Sequence, residues 1–198
     1  SDAVFSAAKL LKDCSNTRIS KAGVDNIPFQ DDTFDLVFSL GVLHHIPDTL
    51  QAMKSCVSKV KPGGYFLVYL YYNFENRGFL FKSLFYLSNV LRKVISVLPK
   101  FLKTKVCWLI AVFVYMPFVL LAKAFRKIGL NKMANKIPLS YYTSHSFNII
   151  KNDALDRFGT PLEQRFSRKE ITEMMTKCGL SDIVISDNEP YWHAIGKK

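Results

Sequence analysis

The stretch at residues 25–48, DNIPFQDDTFDLVFSLGVLHHIPD, constrains this chain most strongly. Its centre, residues 34–40, is a short apolar run with β-branched and aromatic residues, which is typical of a strand buried on both faces of a parallel sheet. Such a strand needs helices on both sides, so the run predicts an α/β fold. Gly41 follows, where the missing Cβ lets another group approach the backbone. Because open α/β sheets bind ligands past the carboxyl ends of their strands, we expect the chemistry near residues 39–45.

The composition indicates a folded chain with an uneven charge distribution. Hydrophobic residues make up 49% of the 198 residues and charged residues 22%, which excludes a disordered polyelectrolyte. The net charge is +11, and residues 76–152 hold thirteen Lys or Arg and no Asp or Glu. The four cysteines are far apart and no His stands at metal-ligand spacing. We therefore predict reduced thiols, no metal site and a cytoplasmic protein.

Spacing and turn residues predict five elements before residue 72. They are a helix at 1–13, a short edge strand at 18–24, the central strand at 34–40, a helix at 48–60 and a second buried strand at 65–71. Asp48 is the predicted N-cap of its helix. The Pro-Gly-Gly sequence at residues 62–64 predicts a sharp turn before the second strand.

The C-terminal residues predict a helix followed by a hairpin. Ser167 as N-cap, with Glu170 three residues on, has the pattern of a capping box, and Gly179 marks the end of the helix. Two strands, at 180–186 and 191–196, follow across a short polar turn.

The order IPF, an acidic turn, FDLV, G-x-L-H-H and then KPGG resembles the second half of the class I S-adenosylmethionine-dependent methyltransferases, in the branch related to ubiquinone and menaquinone methyltransferases. The resemblance covers residues 1–71 and, more loosely, the segment from residue 166. It implies a partial Rossmann-like sheet of parallel strands, closed by a C-terminal antiparallel hairpin, with an inserted helical cap. We accordingly expect the following division: core at 1–72, basic and apolar cap at 73–150, and a return to the core at 151–198.

The resemblance also implies that the first two strands of the family and its glycine-rich cofactor turn precede residue 1. We therefore expect the chain to be a fragment that is inactive alone. The implied cofactor is S-adenosyl-L-methionine, and its candidate residues are Gly23, Val24, Asp25, Ser39, Leu40, Gly41 and His44. Gly23 stands where this branch commonly has the acid that binds the adenine amino group, and Asp25 is not at the matching position.

Two histidines follow the central strand, and their role has two interpretations. By resemblance, His44 or His45 faces the methionine end of the cofactor or the acceptor, where an imidazole can act as a catalytic general base. Alternatively, the two residues cap or pack the following helix.

Six further residues are candidates to line an acceptor pocket: Tyr72, Tyr141, Tyr142, His145, Asp153 and Arg157. In related enzymes, the stretch that returns from the cap often faces the substrate. The alternative is an ordinary loop leading into a helix, with Asp153 and Arg157 as a surface pair four residues apart.

The cap segment is unusual for its long apolar runs. It predicts a helix at 79–98 and an uncharged run of seventeen residues at 106–122 that contains Pro117. A length of about seventeen residues is the lower limit for crossing a bilayer. A single crossing would place the two parts of the core on opposite sides of the membrane, so we exclude it on topology.

Three interpretations of the cap remain. It packs on itself and over the active site, or it also lies in the membrane interface through residues 77–136, peripheral at the inner face of the membrane. The third interpretation, nucleic-acid binding, is the least favoured, because the aromatic residues sit inside apolar runs instead of alternating with basic residues.

Two functions are compatible with these observations. The first is methyl transfer from S-adenosylmethionine to a small-molecule or lipid-like acceptor, an in-line displacement in which the protein aligns the acceptor and excludes water. The second is a non-catalytic methyltransferase-like module that docks on a membrane surface or a partner through its basic cap.

Overall fold

A computed structural model describes residues 3–75, 79–188 and 192–198. The chain divides into two compact units, of which the first joins Ser1–Glu75 to Gln164–Lys198 and the second is Asn76–Glu163. The predicted boundary at residue 150 falls inside a continuous helix, Phe147–Gly159, so the chain returns to the first unit later than expected. The predicted starts of the first helix and the last strand, at positions 1 and 191, lie outside the described residues.

The regular elements are numbered in chain order. The helices are α1 (Ala3–Leu10), α2 (Thr49–Val57), α3 (Phe79–Ser96), α4 (Lys100–Ile110), α5 (Met116–Lys127), α6 (Asn131–Ala134), α7 (Phe147–Gly159) and α8 (Arg168–Lys177), and the strands are β1 (Phe34–Leu40), β2 (Val60–Tyr69), β3 (Ser181–Ile185) and β4 (His193–Lys197).

The first unit is built on a four-stranded sheet with the order β1-β2-β4-β3. β1 and β2 are parallel, with Leu36 opposite Tyr65 and Leu40 opposite Tyr69. The β2–β4 and β4–β3 pairs are antiparallel. The predicted α/β fold, with a parallel pair and a closing C-terminal hairpin, is confirmed.

The core of this unit lies between the sheet and helices α2 and α8. Met53, Ile171 and Met175 of the helices are buried together with Phe66 and Val68 of β2. The two strand residues are two positions apart, so they project from the same face of the sheet. The described helices α2 and α8 therefore pack on one face.

Two helix starts carry the predicted capping residues. The carboxylate of Asp48 accepts a hydrogen bond from the amide of Gln51 at 2.9 Å. Ser167 and Glu170 form a reciprocal capping box at the start of α8. Gly179 follows α8 with a φ of 82°, a left-handed conformation that ends the helix and suits glycine. These predictions are confirmed.

Strand β1 is not buried on both faces, so that prediction is wrong. Leu36, Phe38 and Leu40 are 52%, 63% and 54% exposed, whereas Val37 packs against the core. The reason is that the described helices cover one face of the sheet. Among the described strands, β1 also pairs with β2 alone.

Residues 18–24 form no described strand, contrary to the prediction. Residues 18–23 are exposed, and the ladder of β1 has no described strand on the side away from β2. A short run with β propensity needs a paired neighbour and a packed face to become a strand, and here the described structure offers neither.

The Pro-Gly-Gly sequence at residues 62–64 lies inside β2 rather than before it. β2 begins at Val60, and its extra residues bulge out of the ladder with β1 ahead of Tyr65. Gly64 is required there, because a Cβ would come within 2.7 Å of the carbonyl oxygen of Asp35. The predicted turn is therefore an irregularity within a longer strand.

The second unit is a helical cap. Helix α3 confirms the helix predicted at 79–98. Helix α4, a π-helical turn at Ala111–Tyr115 and α5 form one long helix, Lys100–Lys127, and α7 packs against α3 and α4. Within the described residues, this long helix is the one whose length and composition would allow it to cross a membrane. Only 28% of its most apolar stretch is buried in the protein.

Replacing Ser167 with Ala tests the capping box. The S167A variant loses the side-chain acceptor for the Glu170 amide, so we expect the free energy of unfolding to fall by about 1 kcal/mol in urea denaturation. Thr172→Ala is the matched control, because the Thr172 hydroxyl only donates to the carbonyl of Arg168 within the helix. Equal losses from the two substitutions would contradict the importance of the box.

Candidate active site

The candidate active site of the first unit lies at the carboxyl ends of β1 and β2. β1 leads into Gly41, whose φ of 70° favours glycine and whose amide donates to the carbonyl of Tyr69 at 3.1 Å. A 3-10 helix, Leu43–His45, then precedes α2. This is the edge at which open α/β sheets bind ligands.

His44 is the most buried polar residue of this site. Its side chain is fully buried, and its ring stacks on that of Tyr71 with the centroids 3.8 Å apart. Within the described part of the chain, neither ring nitrogen has a hydrogen-bond partner. Burial, with smaller contributions from His45 and Arg165, lowers the pKa of His44 to about 3. The ring is therefore neutral near neutral pH and carries one N–H donor and one acceptor nitrogen.

The chain that returns to the first unit holds this turn in place. The amide of Gln164 donates to the carbonyl of His44 at 3.0 Å. The side-chain Nε2 of Gln164 donates to the carbonyl of Ile46 at 2.7 Å and to the hydroxyl of Thr49 at 3.1 Å. These bonds tie the histidine turn to a segment more than one hundred residues away along the chain, so the turn does not depend on local sequence alone.

Arg165 extends the stack from the same returning segment. Its guanidinium carbon lies 5.1 Å from the ring centroid of Tyr71 and 4.4 Å from that of Phe74. Its Nη1 also donates to the carbonyl of Tyr72 at 3.2 Å. The predicted residue Tyr72 packs edge-on against Trp192 with the centroids 6.1 Å apart. The result is a cationic and aromatic cluster beyond the ends of the strands.

Sequence analysis did not identify Tyr71, Gln164 or Arg165 as site residues. The run of tyrosines at the end of β2 was an available signal, because the end of a parallel strand is where ligands bind. Gln164 and Arg165 gave no such signal, since their place beside the histidines depends on a long-range bridge between Tyr72 and Phe166.

The structure does not bring all the candidate cofactor residues together. Ser39, Leu40, Gly41 and His44 lie at the carboxyl end of β1 or just beyond it. The exposed residue Gly23 precedes Val24 and Asp25, and these last two line a cavity of about 270 Å³ together with Ser58 and Lys59. The carbonyl oxygen of Lys59 accepts a hydrogen bond from the amide of Phe34, the first residue of β1. This cavity therefore lies near the amino end of β1.

Four candidate acceptor residues of the second unit lie close together. The rings of Tyr141 and His145 have centroids 4.5 Å apart, and those of Tyr142 and His145 are 6.0 Å apart. Burial, with a hydrogen bond to Asp153, raises the pKa of Tyr142 above its usual range. Tyr141 is 70% exposed, so this cluster has access to solvent on one side.

Arg157 has a different set of contacts. Its Nη1 donates to both carboxylate oxygens of Glu163 at 3.0 Å, and its Nη2 donates to the hydroxyl of Ser88 at 2.8 Å. The ion pair is largely buried, since the side chains of Arg157 and Glu163 are 17% and 2% exposed. Arg157 thus pairs with Glu163 rather than with Asp153, and its bonds to α3 favour a structural role.

Comparisons with known proteins bear on the first unit. Residues 1–68 match a protein family described as a methyltransferase domain. Residues 1–68 are thus similar to methyltransferase domains. A segment of 42 residues is 48% identical to a tRNA U34 carboxymethyltransferase of Nautilia profundicola, covering 21% of this chain and 14% of that protein. Another, of 52 residues, is 38% identical to a sterol 4-C-methyltransferase of Caenorhabditis elegans, covering 26% of this chain and 16% of that protein.

The chain therefore matches less than a fifth of the length of these relatives. Among solved structures, one is a protein of Bordetella parapertussis that is described as a possible exported protein. The similarity covers 100% of this chain and 50% of that protein, with a TM-score of 0.51 and 11% sequence identity. At this identity, the likeness concerns the fold alone.

The methyltransferase match covers only part of the candidate site. Gly41 and His44 lie inside the matched residues 1–68. Tyr71, which stacks on His44, and Arg165 lie outside them. The part shared with the methyltransferases thus includes the carboxyl end of β1 with Gly41 and His44, whereas Tyr71 and Arg165 come from the rest of the chain.

The neutral state of buried His44 predicts a pH-dependent stability. Unfolding returns the pKa of His44 from about 3 to its usual 6.5, so between these values the unfolded chain binds the extra proton. The folded state is therefore fully stable above the unfolded pKa and loses stability as the pH falls below it, by at most about 1.4 kcal/mol per pH unit.

Urea unfolding of the wild type and of His44→Gln, over the range from pH 7 down to about pH 4, measures this loss. We expect the wild type to lose stability relative to H44Q as the pH falls, and equal slopes would contradict a buried neutral His44. An NMR titration of the wild-type histidine rings checks the same point without a variant, since the His44 ring should stay neutral well below its usual pKa.

Proposed function

We propose that the protein transfers the methyl group of S-adenosylmethionine to a small-molecule or lipid-like acceptor. The observation that carries the proposal is the methyltransferase match over residues 1–68, which includes the carboxyl end of β1 and the buried residue His44. The position of that strand end supports the proposal, because ligands of open α/β sheets bind beyond the carboxyl ends of the strands.

S-adenosylmethionine supplies a methyl group on a positively charged sulfur, which the acceptor attacks in line. The residues at the carboxyl end of β1 fit this ligand: Ser39, Leu40, Gly41 and His44. Gly41 presents bare backbone there, and His44 has two buried ring nitrogens without a partner among the described residues. Gly23, Val24 and Asp25 lie elsewhere in this structure, so we do not assign them to the cofactor.

The residues around the histidine turn would align the acceptor and exclude water. The half-buried ring of Tyr71, which stacks on His44 and has Arg165 beside it, offers an aromatic surface that suits an apolar or aromatic acceptor. Where the acceptor must lose a proton, His44 is a weak base because its pKa is about 3.

The two relatives are named for different acceptors, tRNA U34 and a sterol. We favour a lipid-like acceptor for this protein because its second unit exposes large apolar side chains, among them Trp108 and Phe113. This choice concerns the acceptor alone and leaves the reaction unchanged.

A second candidate function is the non-catalytic docking module. Gly23 stands where related methyltransferases commonly carry an acid for the adenine, and the structure leaves it exposed. A module of this kind would keep the fold without binding the cofactor, so cofactor binding separates the two functions.

Calorimetric titration with S-adenosylhomocysteine, applied to the full-length product of the gene, tests cofactor binding. We expect binding, and a stabilisation of about 2.7 kcal/mol at a ligand concentration of 100 Kd. Gly41→Val should weaken binding at least about tenfold, because a β-branched residue is strained at the φ of 70° found there.

The matched control is Gly129→Val, which places the same residue at a similar φ of 82° in the second unit. G129V should bind the cofactor like the wild type. Failure of the full-length protein to bind would overturn the catalytic proposal and favour the non-catalytic module.

Radiolabel from the methyl group of S-adenosylmethionine identifies the acceptor class. With the full-length protein, a total lipid extract and bulk tRNA offered in parallel, we expect label in the organic phase. Label confined to tRNA would retain the methyl-transfer proposal and contradict the lipid-like acceptor.

A further inference from the structure

The long helix of the second unit exposes an apolar face that no described part of the protein covers. We use the term outer face for five exposed side chains of this helix. They are Trp108, Leu109, Phe113, Leu120 and Leu121, which are 44%, 45%, 70%, 55% and 49% exposed. They lie within the run that has no charged residue between Lys105 and Lys123. Single exposed apolar residues are ordinary on protein surfaces, but a contiguous face of this kind marks an interaction site.

The opposite face of the same helix is packed. Cys107, Ala111, Tyr115 and Val119 recur every four residues and are buried. They pack with Ile150 of α7 in a separate core of the second unit. One side of the helix is therefore packed within the second unit, and the other side is exposed and accessible to a partner.

The neighbours of the packed face are polar, which excludes a membrane-spanning position. Helix α7 carries Asp153, Asp156 and Arg157, and Arg157 pairs with Glu163. If the long helix crossed a bilayer with α7 packed against it, these groups would lie at the depth of the hydrocarbon, where charged groups are strongly unfavourable. A position in the plane of the interface avoids that cost, because the polar side stays in water.

The charge of the chain is concentrated in this unit. Residues 76–163 contain fourteen Lys or Arg and three Asp or Glu, a net charge of +11 that equals the net charge of the whole chain. The remainder is therefore neutral overall. Basic residues stand at both ends of the uncharged run, Lys103 and Lys105 before it and Lys123, Arg126 and Lys127 after it.

We propose that the outer face docks on the surface of an anionic phospholipid bilayer, with the long helix lying in the interface. Apolar side chains enter the acyl boundary while the flanking Lys and Arg meet the lipid phosphates, which attract basic residues near an anionic surface. Trp108 suits the same depth, since an indole ring places its apolar body in the lipid and its N–H toward water. This surface belongs to the second unit, so it does not rest on the proposed methyl transfer.

Vesicle flotation with the full chain tests the proposal. The probes are vesicles of phosphatidylcholine alone and vesicles with about 30% phosphatidylglycerol, each at low and high salt. We expect strong binding to the anionic vesicles that weakens with salt, and weaker binding to the neutral ones. No binding to either vesicle overturns the proposal.

Three variants locate the contact. Phe113→Glu combined with Leu120→Glu should reduce the partition coefficient at least about tenfold, because two charges enter the apolar boundary. The combined substitutions Lys123→Glu, Arg126→Glu and Lys127→Glu should remove the preference for anionic lipid. Val184→Glu is the matched control, since Val184 is a 65% exposed apolar residue of β3 in the first unit, and it should bind like the wild type.

Trp108 also reports its own position. Bromine-labelled lipids should quench the fluorescence of the wild type and not that of Trp108→Phe, because the other tryptophan, Trp192, is buried in the core of the first unit. Light scattering in the absence of lipid tests the rival occupant, a second copy of the chain. A dimer that is broken by F113E/L120E, combined with no quenching of Trp108, would overturn the bilayer in favour of self-association.

Discussion

Strand β2 is the element on which the first unit depends. It pairs in parallel with β1 and antiparallel with β4, and its alternate side chains Phe66 and Val68 are fully buried. The parallel pairing brings Gly41 beside Tyr69, and the chain just beyond β2 supplies Tyr71 to stack on His44. The position of the candidate site therefore depends on the pairing of β2, because the residues of the site follow the carboxyl ends of β1 and β2.

The second unit is organised by a different constraint. Its long helix buries Cys107, Ala111, Tyr115 and Val119 on one side, while the other side stays apolar and exposed. Its largely buried Arg157 is paired with Glu163 of the same unit. A helical unit with an apolar outer face and the whole net charge of the chain is suited to a charged apolar boundary.

Local signals in the sequence predicted the features that depend on neighbouring residues. The cap at Asp48, the box of Ser167 with Glu170 and the C-terminal hairpin each follow from residues a few positions apart. Features that depend on distant partners were missed. The apolar run of β1 did not reveal that helices cover only one face, and residues 18–24 have strand propensity but no described neighbour to pair with. Arg165 reaches the site only through a bridge between distant segments, which no spacing rule detects.

The central claim is that the cofactor binds at the carboxyl end of β1, and photolabelling tests it most directly. Ultraviolet cross-linking of radiolabelled S-adenosylmethionine to the full-length gene product, followed by tandem mass spectrometry, locates the label at the level of single residues. The account predicts label within residues 39–45, where Gly41 and His44 lie. Label confined to the cavity lined by Val24, Asp25 and Lys59 would contradict it.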